Sequence, residues 1–402
     1  MKRLCAAAIL TLCTAGIVLA EDGLKLSGEI KTGVYWYMMA REGQDGIDEN
    51  AFIHNSEDTP WGDAPETYYD YRRDQGRYRL NFQYDIGNIG TKFRFQTTRW
   101  PSSVNDTEGF LSFSYAFVYG YFFNNNLKIS AGKMGDSPWA AGGPETWTEL
   151  DTTIGLRFEF MPQFIPFIAP GSLNIGVVLN NFNGSVEEGN QAGVNKMTLG
   201  DLLNESVLGL SYTHDYFHLR FAYRLDSLVD GVSDGSELLF RLEEHAIEKH
   251  LRGFQIWANG YYKFYRTAEN APDGMDAVNW LYAQYEHDLF ITQLRLGYNI
   301  KKERHTLYAR PNFFFKLFDN FLQIGAAFEY AADVGDVKLD PNAPYLHWFI
   351  EPQIRMNLNS NSYIALVYRY YDDYEFYNSS ANDNSYANTR VHWINLRVLF
   401  TF

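Results

Sequence analysis

Six basic residues in the N-terminal third stand opposite apolar neighbours: Arg77 and Arg79 in RYRLNFQYDI, Lys92 and Arg94 in TKFRFQTT, Lys128 in LKISAGKM and Arg157 in IGLRFEF. In an extended chain successive side chains point to opposite faces, so these six would line one wall. Between Lys128 and Arg157 the segment GDSPWAAGGPETWTELD carries Asp136, Glu145, Glu149 and Asp151, a Gly142-Gly143-Pro144 bend, and Trp139 and Trp147. The chemistry open to such a set is electrostatic. Fixed cations facing fixed carboxylates across a narrow wet gap orient water, disfavour apolar solutes and weight passage by charge.

Other polar groups offer less. Glu42, Asp45, Asp48, Glu49, Glu57, Asp58, Asp63, Glu66 and Asp70 crowd one stretch without EF-hand spacing, so a solvated loop is preferred to a cation site. His245 and His250 in EEHAIEKH lack the His-Glu-x-x-His spacing of a zinc helix, and His214 and His287 fall in turns. No GxSxG, no phosphate-binding glycine loop and no basic stripe with stacked aromatics is present. No metal, no cofactor and no enzymatic activity is expected. A formal charge of −15, or −17 without Lys2 and Arg3, argues against a nucleic acid partner.

The elements that would position the six cations repeat one period. LKLSGEIKTGVYW sends Leu24, Leu26, Ile30, Val34 and Trp36 one way and Lys25, Ser27, Glu29 and Lys31 the other, which is strand geometry. RYRLNFQYDI repeats the design; TKFRFQTT, FSYAFVYGYFF, LKISAGKM, IGLRFEF, LNIGVVL, LGLSYT and FHLRFAYRL follow, bounded by turn formers. WLYAQY, LRLGYNI, FFFKLF, LQIGAAFEY, LHWFIEPQIRM, YIALVYRYY and INLRVLFTF complete the pattern. Two hairpins share a Tyr-x-His-Asp junction, at His214-Asp215 and His287-Asp288, a weak internal repeat. About eighteen strands are expected, or sixteen if two are misread, since a single-chain barrel of this kind uses an even number.

Connections alternate between tight turns and long polar stretches. The long ones run from Met39 to Gln75, Gly135 to Thr152, Asn180 to Glu205, Arg266 to Ala277, Ala331 to Tyr345 and Asp372 to Asn388. That asymmetry suits a barrel in a membrane, with both chain ends on the short-turn, periplasmic side. A soluble β-sandwich explains any one alternating strand equally well. Aromatic residues at strand ends favour the membrane, with Trp36, Tyr121, Trp280, Trp348 and Tyr370 as headgroup anchors and Tyr35, Phe122 and Tyr371 as inward candidates forming no evident track. Lys133 breaks strict alternation, as a snorkelling rim residue or beside a bulge.

The two ends point the same way. MKRLCAAAILTLCTAGIVLA has the charged, apolar and small-residue order of an export signal, read as residues 1–20 with cleavage after Ala20. Cys5 and Cys13, the two cysteines of the chain, lie within it, so the mature protein is expected to carry no thiol. At the other end Ile394, Leu396, Val398, Phe400 and Phe402 alternate to a terminal aromatic. This resembles the last-strand signature of Gram-negative outer-membrane proteins, which implies that Phe402 and Phe400 serve as a signal to the barrel-assembly machinery.

AGKMGD, the Gly/Pro/Glu loop with its GGPE, and TIGLRFEF resemble the matching region of general bacterial porins. The resemblance covers the export signal, the strand pattern, this loop and the terminal Phe. It implies that the loop after the fifth strand, residues 135–152, folds inward so that its acids face a basic ladder including Arg157.

The expectation is therefore an all-β, transmembrane antiparallel up-and-down barrel, one domain over residues 21–402, in the bacterial outer membrane. As a porin it would be a passive diffusion channel for small hydrophilic solutes and ions, and by resemblance a homotrimer. A substrate-selective channel is the first alternative, favoured by the aromatic segment Tyr374-Glu375-Phe376-Tyr377. A surface adhesin on a barrel scaffold is the second, resting on the long acidic loops.

Overall fold

The computed structural model describes residues 23–41, 47–53, 77–96, 112–141, 154–162, 171–179, 206–225, 235–265, 274–301, 304–334, 346–379 and 383–402. The export-signal reading, residues 1–20, lies outside them. The described residues form β1 (Leu24–Arg41), β2 (Ile47–Ile53), β3 (Arg77–Ile86), β4 (Ile89–Gln96), β5 (Ser112–Phe122), β6 (Leu127–Lys133), β7 (Ile154–Phe160), β8 (Ser172–Leu179), β9 (Val207–Thr213) and β10 (Phe217–Arg224). They continue as β11 (Ser236–Glu244), a short helix α1 (Ala246–His250), β12 (Phe254–Tyr265), β13 (Gly274–Glu286), β14 (Phe290–Lys301), β15 (Arg304–Leu317), β16 (Leu322–Asp333), β17 (Leu346–Asn357), β18 (Tyr363–Ser379) and β19 (Asp383–Thr401).

Each strand from β3 to β19 pairs antiparallel with the next. The ring closes because β19 pairs with β1, Glu29 opposite Thr401, and the first half of β1 pairs with β3, Leu24 opposite Tyr84. The short β2 lies against the second half of β1 on the edge that faces β3, so it is a spur on the wall rather than a member of it. Removing β2 leaves an all-β, antiparallel closed barrel of eighteen strands. Closure gives every wall strand two neighbours, which satisfies backbone groups that lipid cannot. No helix among the described residues is long and apolar enough to cross a membrane.

The tight connections form where residues tolerate a left-handed backbone. Phe123, Asn124 and Asn125 have φ of 53°, 55° and 65°, and Phe318, Asp319 and Asn320 have 53°, 53° and 69°. Asn and Asp pay least for that region after glycine, because their short polar side chains bond locally. Asn126 N–H and Phe321 N–H close these turns onto Phe123 O and Phe318 O, at 3.2 and 3.0 Å. The junctions at His214 and His287 are also one turn used twice. Each histidine Nδ1 accepts a backbone N–H two residues on, at 3.2 Å in both, and each ring stacks on a phenylalanine, Phe217 or Phe290.

Three expectations about connections change. The stretch from Asp372 to Asn388 is mostly a hairpin rather than a loop: β18 and β19 stay paired out to Ser379 opposite Asp383. Met39 likewise belongs to β1, which runs to Arg41. Lys301 and Arg304 end β14 and begin β15, so one connection on the long side is as short as a turn. Between β11 and β12 the chain forms α1, with Glu244 Oε1 accepting Ile247 N–H at 2.7 Å, and Gly253, at φ 86°, leads into β12. His245 and His250 belong to this small turn.

Candidate functional site: the lumen wall and the segment it holds

Register assigns the faces. Ser27 and Glu29 stand opposite Asn81 and Arg79; Asn81 and Gln83 opposite Arg94 and Lys92; Lys92 and Arg94 opposite Phe117 and Tyr115. Tyr119 and Tyr121 stand opposite Ser130 and Lys128, which in turn face Arg157 and Glu159. Five of the six cations, Arg79, Lys92, Arg94, Lys128 and Arg157, thus share one wall; the side chain of Arg77 lies outside those described. The other face exposes Ile86, Val118, Ile154, Leu281, Leu296 and Ile354, an apolar surface suited to lipid. The polar wall is the lumen.

The aromatic assignment needs correcting. Tyr121 and Trp280 lie on the lumen face, Trp280 opposite Asn259 and Gly297, whereas Phe122 faces outward and is exposed. The contacting pair Trp348 and Tyr370 keeps the outward face; the side chains of Trp36, Tyr35 and Tyr371 lie outside those described. In β5 both faces are apolar, Tyr115-Phe117-Tyr119-Tyr121 on one and Ala116-Val118-Gly120-Phe122 on the other. Composition alone picks the more aromatic face for lipid, but pairing with the charged faces of β4 and β6 turns it inward. That row interleaves with the cations: Arg94 lies 4.8 Å from the Tyr115 ring centre, Arg157 5.2 Å from Phe117 and Lys128 5.1 Å from Tyr119. Lys133, paired with Ile154 on the outward face, reaches Phe113 O at 2.5 Å, the snorkelling geometry.

Residues Met134–Ala141, directly after β6, lie on the lumen wall. Met134, Trp139 and Ala141 are buried in a cluster with Tyr115, Phe117, Tyr119, Val178, Val207, Ala222 and Leu239. Arg157 donates to Gly135 O and Arg220 to Ala140 O, each at 3.1 Å. Asp136, at φ 53°, pairs with Lys92, so one acid of this segment meets one cation of the wall. Glu145, Glu149 and Asp151 lie outside the described residues. So do the acids of the first long connection, apart from Asp48 and Glu49 in β2.

The cations differ in accessibility. Arg157 is 0 % exposed beneath the segment, its Nε 2.9 Å from Glu159, which also receives Lys128 at 3.2 Å. It is an anchor rather than a solvent-facing rung. Arg79 and Arg94 remain partly exposed, with Nε on Gln96 and Asn81 at 3.2 and 2.6 Å. Together with Ser27, Glu29, Asn81 and Thr401 they line a cleft of about 430 Å³. At the chain end, Phe402 exchanges backbone bonds with Gly28 at 2.9 and 3.1 Å and lays its ring over that glycine, where a Cβ would come within 2.3 Å of it. Phe400 faces outward.

Sequence reading missed the far wall. Arg295 stands opposite Arg310, Arg310 approaches Glu329 at 3.9 Å, and Glu351 receives Arg369 Nε at 2.5 Å and Arg397 at 3.8 Å. Phe349 sits between the guanidiniums of Arg310 and Arg369, 5.1 and 4.4 Å from its ring centre. Arginines in β14, β15, β18 and β19 and glutamates in β16 and β17, each between apolar neighbours, were the available signal.

Ser211, His218 and Glu243, on adjacent strands, have the order of a nucleophile, base and acid, with Ser211 Oγ 3.0 Å and Glu243 3.6 Å from the imidazole. Two features oppose that role. The backbone around Ser211 is committed to the ladders with β8 and β10, which removes the usual oxyanion donors. Arg220 holds its guanidinium within 3.1 and 3.2 Å of both ring nitrogens, and its Nε donates to the same Nε2 that would have to take the Ser211 proton.

No family model and no curated protein matches the sequence. Solved structures do match in shape. OccAB1 of Acinetobacter baumannii is 10% identical over 95% of this chain and 98% of that chain, with a TM-score of 0.50. OccAB3 of the same organism is 7% identical over 94% and 99%, also at 0.50. The fold is that of the outer-membrane porin-like barrels. At these identities the likeness shows the fold alone, and that fold is the architecture of bacterial outer-membrane barrels.

Proposed function

We propose that the chain is a porin: a passive diffusion channel for small hydrophilic solutes and ions, without covalent chemistry. The observation that carries this reading is a charged lumen wall onto which Met134–Ala141 is folded, setting Asp136 against Lys92. A wall of fixed charge inside a closed barrel favours hydrated solutes and costs apolar ones their passage. Its partners are then outer-membrane lipid, the solutes, the assembly machinery that reads Phe402, and further copies of itself in a homotrimer.

Purified protein in planar bilayers should give discrete conductance steps that scale with salt, and a salt gradient should give a reversal potential displaced from zero. Replacing Glu145 and Glu149 by Gln should shift that potential toward anion preference; steps without any shift would remove those two acids from the constriction. Liposome swelling that falls off smoothly with sugar size supports the porin, whereas saturation by one solute supports a substrate-selective channel.

Surface display, as in an adhesin, has one observation in its favour. Strands β1, β18 and β19 have 18, 17 and 19 residues, where about 9–11 tilted residues cross the hydrocarbon. With β2 paired on β1 they carry sheet beyond the bilayer.

A further inference from the structure

Gly176 and Gly209 are direct partners on β8 and β9, and Gly209 in turn faces Ala222 on β10. All three are on the lumen face, where the neighbouring register pairs are Val178 with Val207 and Asn174 with Ser211. Neither glycine has a positive φ, so at neither position does the torsion angle call for glycine. At Gly209 what calls for it is Trp139, since a Cβ there would stand 1.8 Å from the indole Cδ2. At Gly176 a Cβ would meet the Phe158 carbonyl oxygen of the neighbouring strand at 2.0 Å and the indole Cζ2 at 2.7 Å. The indole fills the bay completely, being 0 % exposed, and its Nε1 donates to Asn174 Oδ1 at 3.0 Å. Asn174 is held in turn by its Nδ2 donating to Glu159 Oε2 at 3.0 Å, which ties the bay to the buried Arg157–Glu159 pair.

We propose that Trp139, seated in the Gly176–Gly209–Ala222 bay, is the latch that fixes how deeply the segment after β6 enters the lumen, and so sets the width of the conducting path. Trp139 is a positioning residue, and the proposal rests on the channel reading above. The polar ties of the segment, Arg157 to Gly135 O, Arg220 to Ala140 O and Lys92 to Asp136, each exchange protein partners for lumen water on release. The indole has no such compensation, because leaving the bay exposes a large apolar surface and leaves a cavity against two glycines. Its seat therefore decides the position of the segment. While it is seated, the segment covers lumen-face residues of β5, β7 and β8 to β11.

The two natural cysteines, Cys5 and Cys13, fall in the expected leader, so a single introduced thiol gives a clean reading. In a Cys5→Ser/Cys13→Ser background, Ala141→Cys places a thiol at a fully buried position of the segment. A charged methanethiosulfonate reagent should modify it slowly in the parent, and about tenfold or more faster once Gly209→Val fills the bay, because protection follows local opening. Trp139→Ala should give the same acceleration and Trp139→Phe should restore most of the protection; this pair serves if Gly209→Val does not assemble. Single-channel steps of Gly209→Val and Trp139→Ala should differ from the parent and fluctuate more. Equal labelling rates in parent and variants overturn the latch. Faster labelling with unchanged conductance overturns its control of the lumen. A parent that labels slowly but conducts nothing overturns the channel reading while leaving the seat of Trp139 intact.

Discussion

Lys128, Arg157 and Glu159 meet beneath the segment that follows β6, and Glu159 receives both cations. Removing one member of a buried ion pair strands the others without water, which costs more than the pair itself contributes. Glu159→Ala should therefore lower the unfolding free energy of refolded protein by about 3–5 kcal/mol, read from urea midpoints in lipid vesicles. The triple variant Lys128→Met/Arg157→Met/Glu159→Leu should recover most of that loss, since apolar replacements of similar volume leave no charge stranded. A triple variant as unstable as the single one would mean that Arg157 matters mainly through Gly135 O. The sequence exposes Arg157 as an alternating cation, but the alternation says nothing of what lies on top of it. Its burial depends on a loop stem folding back across the wall.

The turns are elements whose backbone is decided locally. Asn125, at φ 65°, has no alternative within the four residues that join β5 to β6. A β-branched residue there clashes with its own carbonyl, so Asn125→Val should cost about 1–2 kcal/mol while Asn125→Gly costs almost nothing. Unfolding midpoints of the two variants, measured side by side, check the sign; equal midpoints would mean that the turn relaxes to another type. Such elements are legible because their rule is short-range: the Asn-Asn-Asn, Asp-Asn and paired His-Asp junctions all mark the turns they announce. The paired strands beyond Tyr374 are not legible in this way. Glu375, Asn378 and Asn384 read as loop by composition, and they remain in strand because β18 and β19 pair with each other out to Ser379 opposite Asp383.

For the whole molecule the decisive variable is which face meets lipid. Leu296 and Arg295 are neighbours in β14 on opposite sides of the wall, Leu296 exposed to lipid and Arg295 on the lumen beside Tyr282. Leu296→Arg should destabilise the barrel by about 2–4 kcal/mol near the bilayer midplane, whereas Gln293→Arg, on the lumen face, should change stability little. Vesicle-based unfolding of both variants tests the assignment, and similar losses for the two would reverse it. By itself the sequence determined that the chain is a barrel. Period-two alternation, the parity of connections and the terminal Phe are local properties that survive without knowledge of neighbours, and closure follows because lipid offers backbone groups no other partner. Tertiary structure alone decided the lumen. In β5 both faces are apolar, and only pairing with β4 and β6 turns Tyr115, Phe117, Tyr119 and Tyr121 inward. Likewise Trp139, Gly176 and Gly209 are distant in sequence and carry no shared pattern, because a contact between a bulky side chain and the space left by two missing ones is a property of shape.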